Sequence, residues 1–208
     1  MAKLLIILIC LAVGAGVVWY FFFYDGGRHL DRPTRSEGPI IALGDSLTAG
    51  VGATSGSDYV SVLSRGLGEP IINAGVSGNT TGDALARLQA DVLSKQPRIV
   101  IIMLGGNDAL RTLPETETFA NLRSMIDQIH AQGSAVLLVG IGGALAHNDY
   151  DAQFKTLADS TNVSFVPNIL DGILGRMMLM FDDIHPNNKG YAIVAERLLP
   201  PLQHMAAK

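Results

Sequence analysis

The stretch PIIALGDSLTAG, from Pro39 to Gly50, is an apolar run that breaks off abruptly at Gly44, Asp45 and Ser46. A serine in that position either caps a following helix, a role that Ser and Asp both favour, or is a nucleophile held at the end of a strand. Two later apolar runs break off in a similar way, one into NAGVSGNTT at 73–81 and one into GGND at 105–108. A fourth polar stretch, FDDIHPNN at 181–188, directly precedes the last amphipathic segment. Together these segments offer the hydroxyl of Ser46, the imidazole of His185 with the Asp182 carboxylate three residues before it, the glycine Gly78 and the side-chain amide of Asn107. Those are the parts that acyl transfer needs: nucleophile, base, orienter and oxyanion donors.

Taken singly, each residue also has a plain structural reading. Gly78 could supply a positive φ in a turn, Asn107 with Asp108 could cap or turn the chain, and His185 before Pro186 could be a surface residue at a helix start. Of the other histidines, His29, His130 and His204 fall outside the strand ends, and only His147 competes as a base, without a comparable carboxylate spacing. It is the joint placement that points to chemistry.

The elements that must position these residues follow from the hydrophobic pattern. Short continuous apolar runs, IIAL at 40–43, PIINA at 70–74, IVIIML at 99–104, AVLLVGI at 135–141 and SFVP at 164–167, suit strands buried on both faces of a parallel sheet. Between them, Leu85, Leu88 and Val92, then Phe119, Leu122, Ile126 and Ile129, and finally Tyr191, Val194, Leu198 and Leu202 recur at helical spacing. Further helices are expected over 58–65 and 149–159, and Gly133 is placed to end the one before it. This alternation predicts an α/β fold, a three-layer doubly wound sandwich with a five-stranded parallel sheet. Ligands in such folds sit beyond the carboxyl ends of the strands, where Ser46, Gly78 and Asn107 would fall.

Composition narrows the alternatives. Fifteen Lys and Arg against nineteen Asp and Glu, without a basic cluster, argue against nucleic acid as a partner. Asp182, Asp183 and His185 lack the further ligands of a zinc site, so no metal is expected. Gly50, Gly52 and Gly56 follow a strand, but their spacing departs from a dinucleotide fingerprint, and no Gly-Lys-Ser/Thr is present for a phosphate loop. No cofactor is therefore expected.

In order, the blocks GDSLTAG, NAGVSGNTTGDALARL, LGGNDALR and DDIHPNNKG resemble the SGNH hydrolase superfamily, the GDSL esterases and lipases. Within it the resemblance is to the bacterial acyl-CoA thioesterase I, lysophospholipase and arylesterase group, and it covers about residues 40–203. It implies a flavodoxin-like fold, Ser46 as nucleophile, His185 as base and Asp182 rather than Asp183 as orienter. It also implies an oxyanion hole from Ser46, Gly78 and Asn107, and an ester or thioester with an acyl chain as substrate. The GxSxG elbow of other esterases is missing here, as in that family. The rival functions are a carbohydrate O-acetylesterase on the same scaffold and a binding module that kept the fold without the reaction.

Met177, Met178, Met180 and Phe181, just before Asp182, are adaptable enough to line an acyl groove, although residues of this type are more often buried for packing. Leu110, Met180 and Phe181 are the substrate-contact candidates, and by the resemblance the loops 109–114 and 142–149 border the cleft.

Leu4 to Tyr24 carries no charge and matches a hydrocarbon core of about 30 Å as a helix. Residues 1–24 are therefore expected to be a membrane anchor, 25–38 a polar tether and 39–208 the folded domain, placed outside the cytoplasm. Cleavage of a signal after Ala12 to Gly16 is the alternative, releasing the domain to the periplasm. Arg28, Arg32 and Arg35 beyond the span, against Lys3 before it, run counter to that orientation under the positive-inside rule.

Overall fold

A computed structural model describes residues 31–141 and 150–207. Within it the apolar runs form strands β1 (Ile40–Gly44), β2 (Ile71–Gly75), β3 (Ile99–Met103), β4 (Ala135–Val139) and β5 (Ser164–Val166). They make one parallel sheet in the order β2-β1-β3-β4-β5. Every residue of β1, β3 and β4 is buried, as expected of central parallel strands covered on both faces. The edge strands β2 and β5 are only partly buried, which is why β2 tolerates Asn73.

Alternating side chains feed two separate cores. Ile40, Ala42, Ile99, Ile101 and Leu137 pack on one face with Tyr59 and Leu63 of helix α2 (Tyr59–Leu67) and with Tyr191, Val194 and Leu198 of α7 (Asn188–Ala206). Ile41, Leu43, Val100, Ile102 and Leu138 pack on the other with α3 (Thr81–Asp91), α5 (Glu115–His130) and α6 (Tyr150–Thr161). The result is a three-layer doubly wound α/β sandwich of flavodoxin-like strand order. Two short helices interrupt the expected pattern directly after strands: α1 (Ser46–Ala49) after β1 and α4 (Gly106–Leu110) after β3. Neither is long enough to show a hydrophobic period.

The anchor expected over residues 1–24 and the tether as far as residue 30 lie outside the described residues. Among the described residues, no helix is long and apolar enough to cross a membrane. Residues 31–35, expected to be free tether, instead dock on the amino-terminal edge of the sheet, so the folded unit begins before Pro39. Asp31 takes the Val136 N–H at 2.8 Å and contacts His130 Nε2 at 2.7 Å, while its own N–H donates to Ser164 Oγ at 2.9 Å. The N–H groups of Thr34 and Arg35 both reach the Gly133 carbonyl. Composition made this segment look solvated, but its few polar groups find fixed partners on the sheet.

Candidate active site

In this strand order the chain goes from β1 to β2 on one side and crosses back over β1 to β3 on the other, so the crevice lies beyond the carboxyl ends of β1 and β3. Ser46 and Asn107 stand at those two ends. Ser46 opens α1, and the cap of that helix is Asp45, whose Oδ1 accepts the Leu47 N–H at 3.0 Å. The capping reading and the nucleophile reading of the GDS stretch therefore belong to adjacent residues, and the Ser46 hydroxyl is free to point elsewhere. Helix α1 rests directly on β2: a Cβ on Gly75 would collide with the Ala49 backbone nitrogen. Below it, Thr48 Oγ1 and the Tyr59 hydroxyl are hydrogen-bonded at 2.8 Å in the core.

The Ser46 hydroxyl lies 2.9 Å from His185 Nε2, and His185 Nδ1 lies 2.8 Å from Asp182 Oδ2. The carboxylate can only accept there, so Nδ1 carries the proton and Nε2 is left as the acceptor for the Ser46 hydroxyl. Asp182 Oδ1 also takes the main-chain N–H groups of Ile184 at 2.9 Å and His185 at 2.7 Å, folding DDIH into a tight turn. These bonds, that of the His185 main chain first, hold the Asp182 carboxyl down to about 2. The turn is closed by Phe181 N–H to His185 O at 2.8 Å and Asn187 N–H to Leu179 O at 2.9 Å. Asn187 then caps α7 while its Nδ2 holds the Met178 and Met180 carbonyls.

Facing this pair across the crevice are Gly78 and Asn107. Gly78 has φ +80°, the left-handed region that glycine enters without strain. Asn107, on α4, directs Nδ2 to the Asn79 carbonyl at 2.9 Å and to Asp45 Oδ2 at 3.2 Å. Beside it, the buried carboxylate of Asp108 accepts the Thr81 N–H at 2.9 Å and the Thr81 hydroxyl at 2.5 Å, tying α4 to the start of α3. Asp108 is thus a structural fastener. The structure therefore brings Ser46, Gly78, Asn107, Asp182 and His185 to one mouth, whereas His147 lies outside the described residues.

Three residues of this mouth escaped the sequence reading. Asp45 is only 3% exposed, and burial pushes its carboxyl up to about 6 against the downward pull of the Leu47 N–H and of His185. Asn79 supplies the carbonyl that holds Asn107. Arg87 of α3 reaches back to fasten the strand ends: its Nη2 donates to the Gly44 carbonyl at 3.0 Å and the Ala74 carbonyl at 2.9 Å, and its Nε to Asn79 Oδ1 at 2.6 Å. Arg87 also pairs with Asp91 four residues on, at 3.0 Å; an i,i+4 spacing of this kind is ordinary for a helix surface and gives no sign of the inward half of the guanidinium. Asp45 was visible only as a helix cap.

The rim is apolar. Among the described residues the exposed large hydrophobic side chains are Val76, Leu110, Met177, Met178 and Phe181, and all follow a strand end or lead into the Asp182 turn. Met177 and Met178 are 91% and 75% exposed, so packing does not account for them. Met180 differs: it is partly buried against the core and bridges Pro186, supporting the limb from beneath. A shallow cavity of about 340 Å³ beside this limb is lined by Gly52, Thr54, Met178, Asn187, Asn188 and Lys189. No group of three or more His, Cys, Asp or Glu among the described residues is arranged to hold a metal ion.

Residues 42–193 match the GDSL-like Lipase/Acylhydrolase family. Esterase TesA of Pseudomonas aeruginosa is 31% identical over 79% of this chain and 87% of its own length. A crystal structure of a protein named TesA superposes with a TM-score of 0.74 at 31% identity, covering 80% of this chain and 99% of the other. Thioesterase 1/protease 1/lysophospholipase L1 of Escherichia coli is 30% identical over 79% of this chain and 83% of its own. An acetylxylan esterase of Geobacillus stearothermophilus is 30% identical over 84% and 87%. Each of the three relatives is matched across most of its own length, and the family match begins within β1 and ends within α7, enclosing every residue at the mouth: the chain belongs to the GDSL-like lipase/acylhydrolase family.

Proposed function

We propose that the protein is a serine hydrolase that cleaves carboxylic esters or thioesters through an acyl-enzyme on Ser46. The observation that carries this is the unbroken hydrogen-bond chain from Ser46 Oγ through His185 to Asp182. His185 Nε2 takes the hydroxyl proton as Ser46 Oγ attacks the carbonyl carbon, and Asp182 steadies the imidazolium that results. The negative oxygen is met by the N–H groups of Ser46 and Gly78 and by Asn107 Nδ2. Collapse of the tetrahedral intermediate expels the alcohol or thiol, which leaves with the proton from His185. Water, deprotonated by the same imidazole, then attacks the acyl carbon and returns Ser46 with release of the acid.

The exposed Leu110, Met177, Met178 and Phe181 support an acyl chain as the part of the substrate that the rim receives, with aryl and alkyl esters, acyl thioesters and lysophospholipids as the class. A carbohydrate O-acetylesterase is the second reading, favoured by the acetylxylan esterase among the relatives. In this reading of the chain, residues 1–24 hold the domain to a membrane with the catalytic domain outside the cytoplasm; the uncharged stretch Leu4–Tyr24 supports the anchor. The mass of the protein recovered from cell membranes tests that part, since a cleaved form lacks the segment.

The experiment for the reaction is hydrolysis of p-nitrophenyl esters from acetyl to decanoyl by the full chain, beside its Ser46→Ala and Asn107→Ala variants. Ser46→Ala is expected to abolish turnover, and Asn107→Ala to lower it by about 10²- to 10³-fold without unfolding the protein. A rate that peaks at acetyl and falls with chain length favours the carbohydrate reading; wild-type turnover by Ser46→Ala refutes both.

A further inference from the structure

An asparagine side chain has two amide protons, and both protons of Asn107 are already placed. One goes to the Asn79 carbonyl at 2.9 Å and the other to Asp45 Oδ2 at 3.2 Å. If Asn107 is an oxyanion donor, as proposed above, the developing oxyanion must take over or share one of these bonds. The longer of them ends on Asp45, a carboxylate that is 3% exposed and directly precedes Ser46. Its other oxygen is fixed by the Leu47 N–H at 3.0 Å, so Asp45 is held by the same turn that holds the nucleophile.

We propose that Asp45 is a positioning residue of the oxyanion hole: its carboxylate keeps the nitrogen end of the Asn107 amide turned inward, and it is the acceptor that yields the Nδ2 proton as the oxyanion forms. The reason is complementarity. With Asn79 O and an ionised Asp45 at one end of the amide, a flipped Asn107 would set its Oδ1 against two oxygen atoms, so nitrogen is selected before substrate arrives. A protonated Asp45 has an O–H to donate, satisfies either end of the amide and removes half of that selection.

This makes activity sensitive to the charge on Asp45. The groups that face it are His185 from the turn before α7, Asp108 from α4, and the phenols of Tyr59 on α2 and Tyr191 on α7. With its carboxyl pushed up to about 6 by burial, Asp45 loses its charge as pH falls through that value. Below it Asn107 is no longer held by a charge, and turnover falls through the loss of that hold.

The test is a double-mutant cycle on the acylation rate with p-nitrophenyl acetate, using the full chain as wild type, Asp45→Asn, Asn107→Ala and the double variant. Asp45→Asn keeps the shape and, with its carbonyl oxygen on the Leu47 N–H, turns an amide N–H toward Asn107. The expected losses are about ten- to a hundredfold for Asp45→Asn and about 10²- to 10³-fold for Asn107→Ala, with the double variant no slower than Asn107→Ala. If the two losses multiply, Asp45 acts independently of Asn107 and this inference fails while the acyl-transfer reading stands. A wild-type rate for Asn107→Ala removes the oxyanion assignment, and this inference with it. A second measurement needs no Asp45 variant: the acid limb of log kcat/KM should be less steep in Asn107→Ala than in wild type, because the charge on Asp45 matters only through Asn107, and limbs of equal slope overturn the proposal even if Asp45→Asn does not fold.

Discussion

Replacing Arg87 by methionine removes one side chain that fastens the ends of β1 and β2 and the loop carrying Asn79, so its consequences can be worked from contacts. The Arg87 side chain is 17% exposed, and its Nη2 supplies both the Gly44 and Ala74 carbonyls. A hydrogen bond from a charged donor contributes about 1.5–3 kcal/mol; because water can reach half-buried carbonyls, the low end applies, or about 3 kcal/mol for the two. The bond to Asn79, from the same charged group, adds about 1.5 kcal/mol, and the ion pair with Asp91, set at i,i+4, only about 0.3–0.5 kcal/mol. Methionine recovers part of the apolar contact of the stem, leaving an expected loss of about 3–4 kcal/mol. For a domain of this size that lowers Tm by roughly 6–16 °C. Because Gly44 leads directly to Asp45 and Ser46, and Asn79 O holds Asn107, kcat should also fall at temperatures where the variant remains folded. Thermal unfolding followed by circular dichroism, with ester hydrolysis on the same samples, measures both. Arg87→Lys should recover little, since one ammonium cannot span the Gly44, Ala74 and Asn79 oxygens in the geometry of a planar fork. If Arg87→Met melts within 2 °C of wild type (about 1 kcal/mol or less) and turns over normally, the strand-end fastening has been misjudged.

Two further outcomes follow from other parts of the molecule. The bond from Asp31 raises the proton affinity of His130 against the opposing effect of burial; its stabilisation is therefore complete below the unfolded value of about 6.5 and is lost as pH rises through the higher folded value. Urea unfolding at pH 6 and pH 8.5 should show wild type losing stability across that interval more than Asp31→Asn does, and equal losses would contradict the docking described for residues 31–35. At the rim, Met177→Ser with Met178→Ser should lower the ratio of decanoyl to acetyl ester turnover by about tenfold, the equivalent of roughly two buried methylenes at 0.8 kcal/mol each; an unchanged ratio would mean that the chain runs elsewhere.

The parts that sequence made legible are those whose signal is repeated along the chain. β1, β3 and β4 could be read because each is apolar on both faces for its full length, and α5 because Leu122, Ile126 and Ile129 return to the same side. The residues at the mouth were legible for a related reason, since complementary types recur at successive strand ends. What was hidden depends on single contacts. Helix α1 has four residues, too few for any period, and Arg87 carries an ion-pair spacing that conceals its inward bonds. Asp31 is one acidic residue in a polar stretch, and only the sheet edge it meets gives it partners. Met177 and Met178 misled in the opposite sense: their type suggested the interior, but the turn that carries Asp182 and His185 is tied back through Asn187 and leaves them outside.

The docking of Asp31 and Arg35 also decides how the protein can be handled as a catalyst. These residues grip the edge where the strands begin, and Ser46 sits where β1 ends, a strand length of roughly 16 Å away at about 3.3 Å per residue. A resin linker, surface tag or carrier protein joined ahead of Asp31 would therefore hang from the side opposite the mouth. Immobilised in that way, each molecule would present its crevice to the bulk liquid, and the attachment would pull on the Asp31–His130 contact before any strain reached the nucleophile turn. Attachment through Lys189, which lines the rim cavity beside Met178, would do the reverse and crowd the entrance.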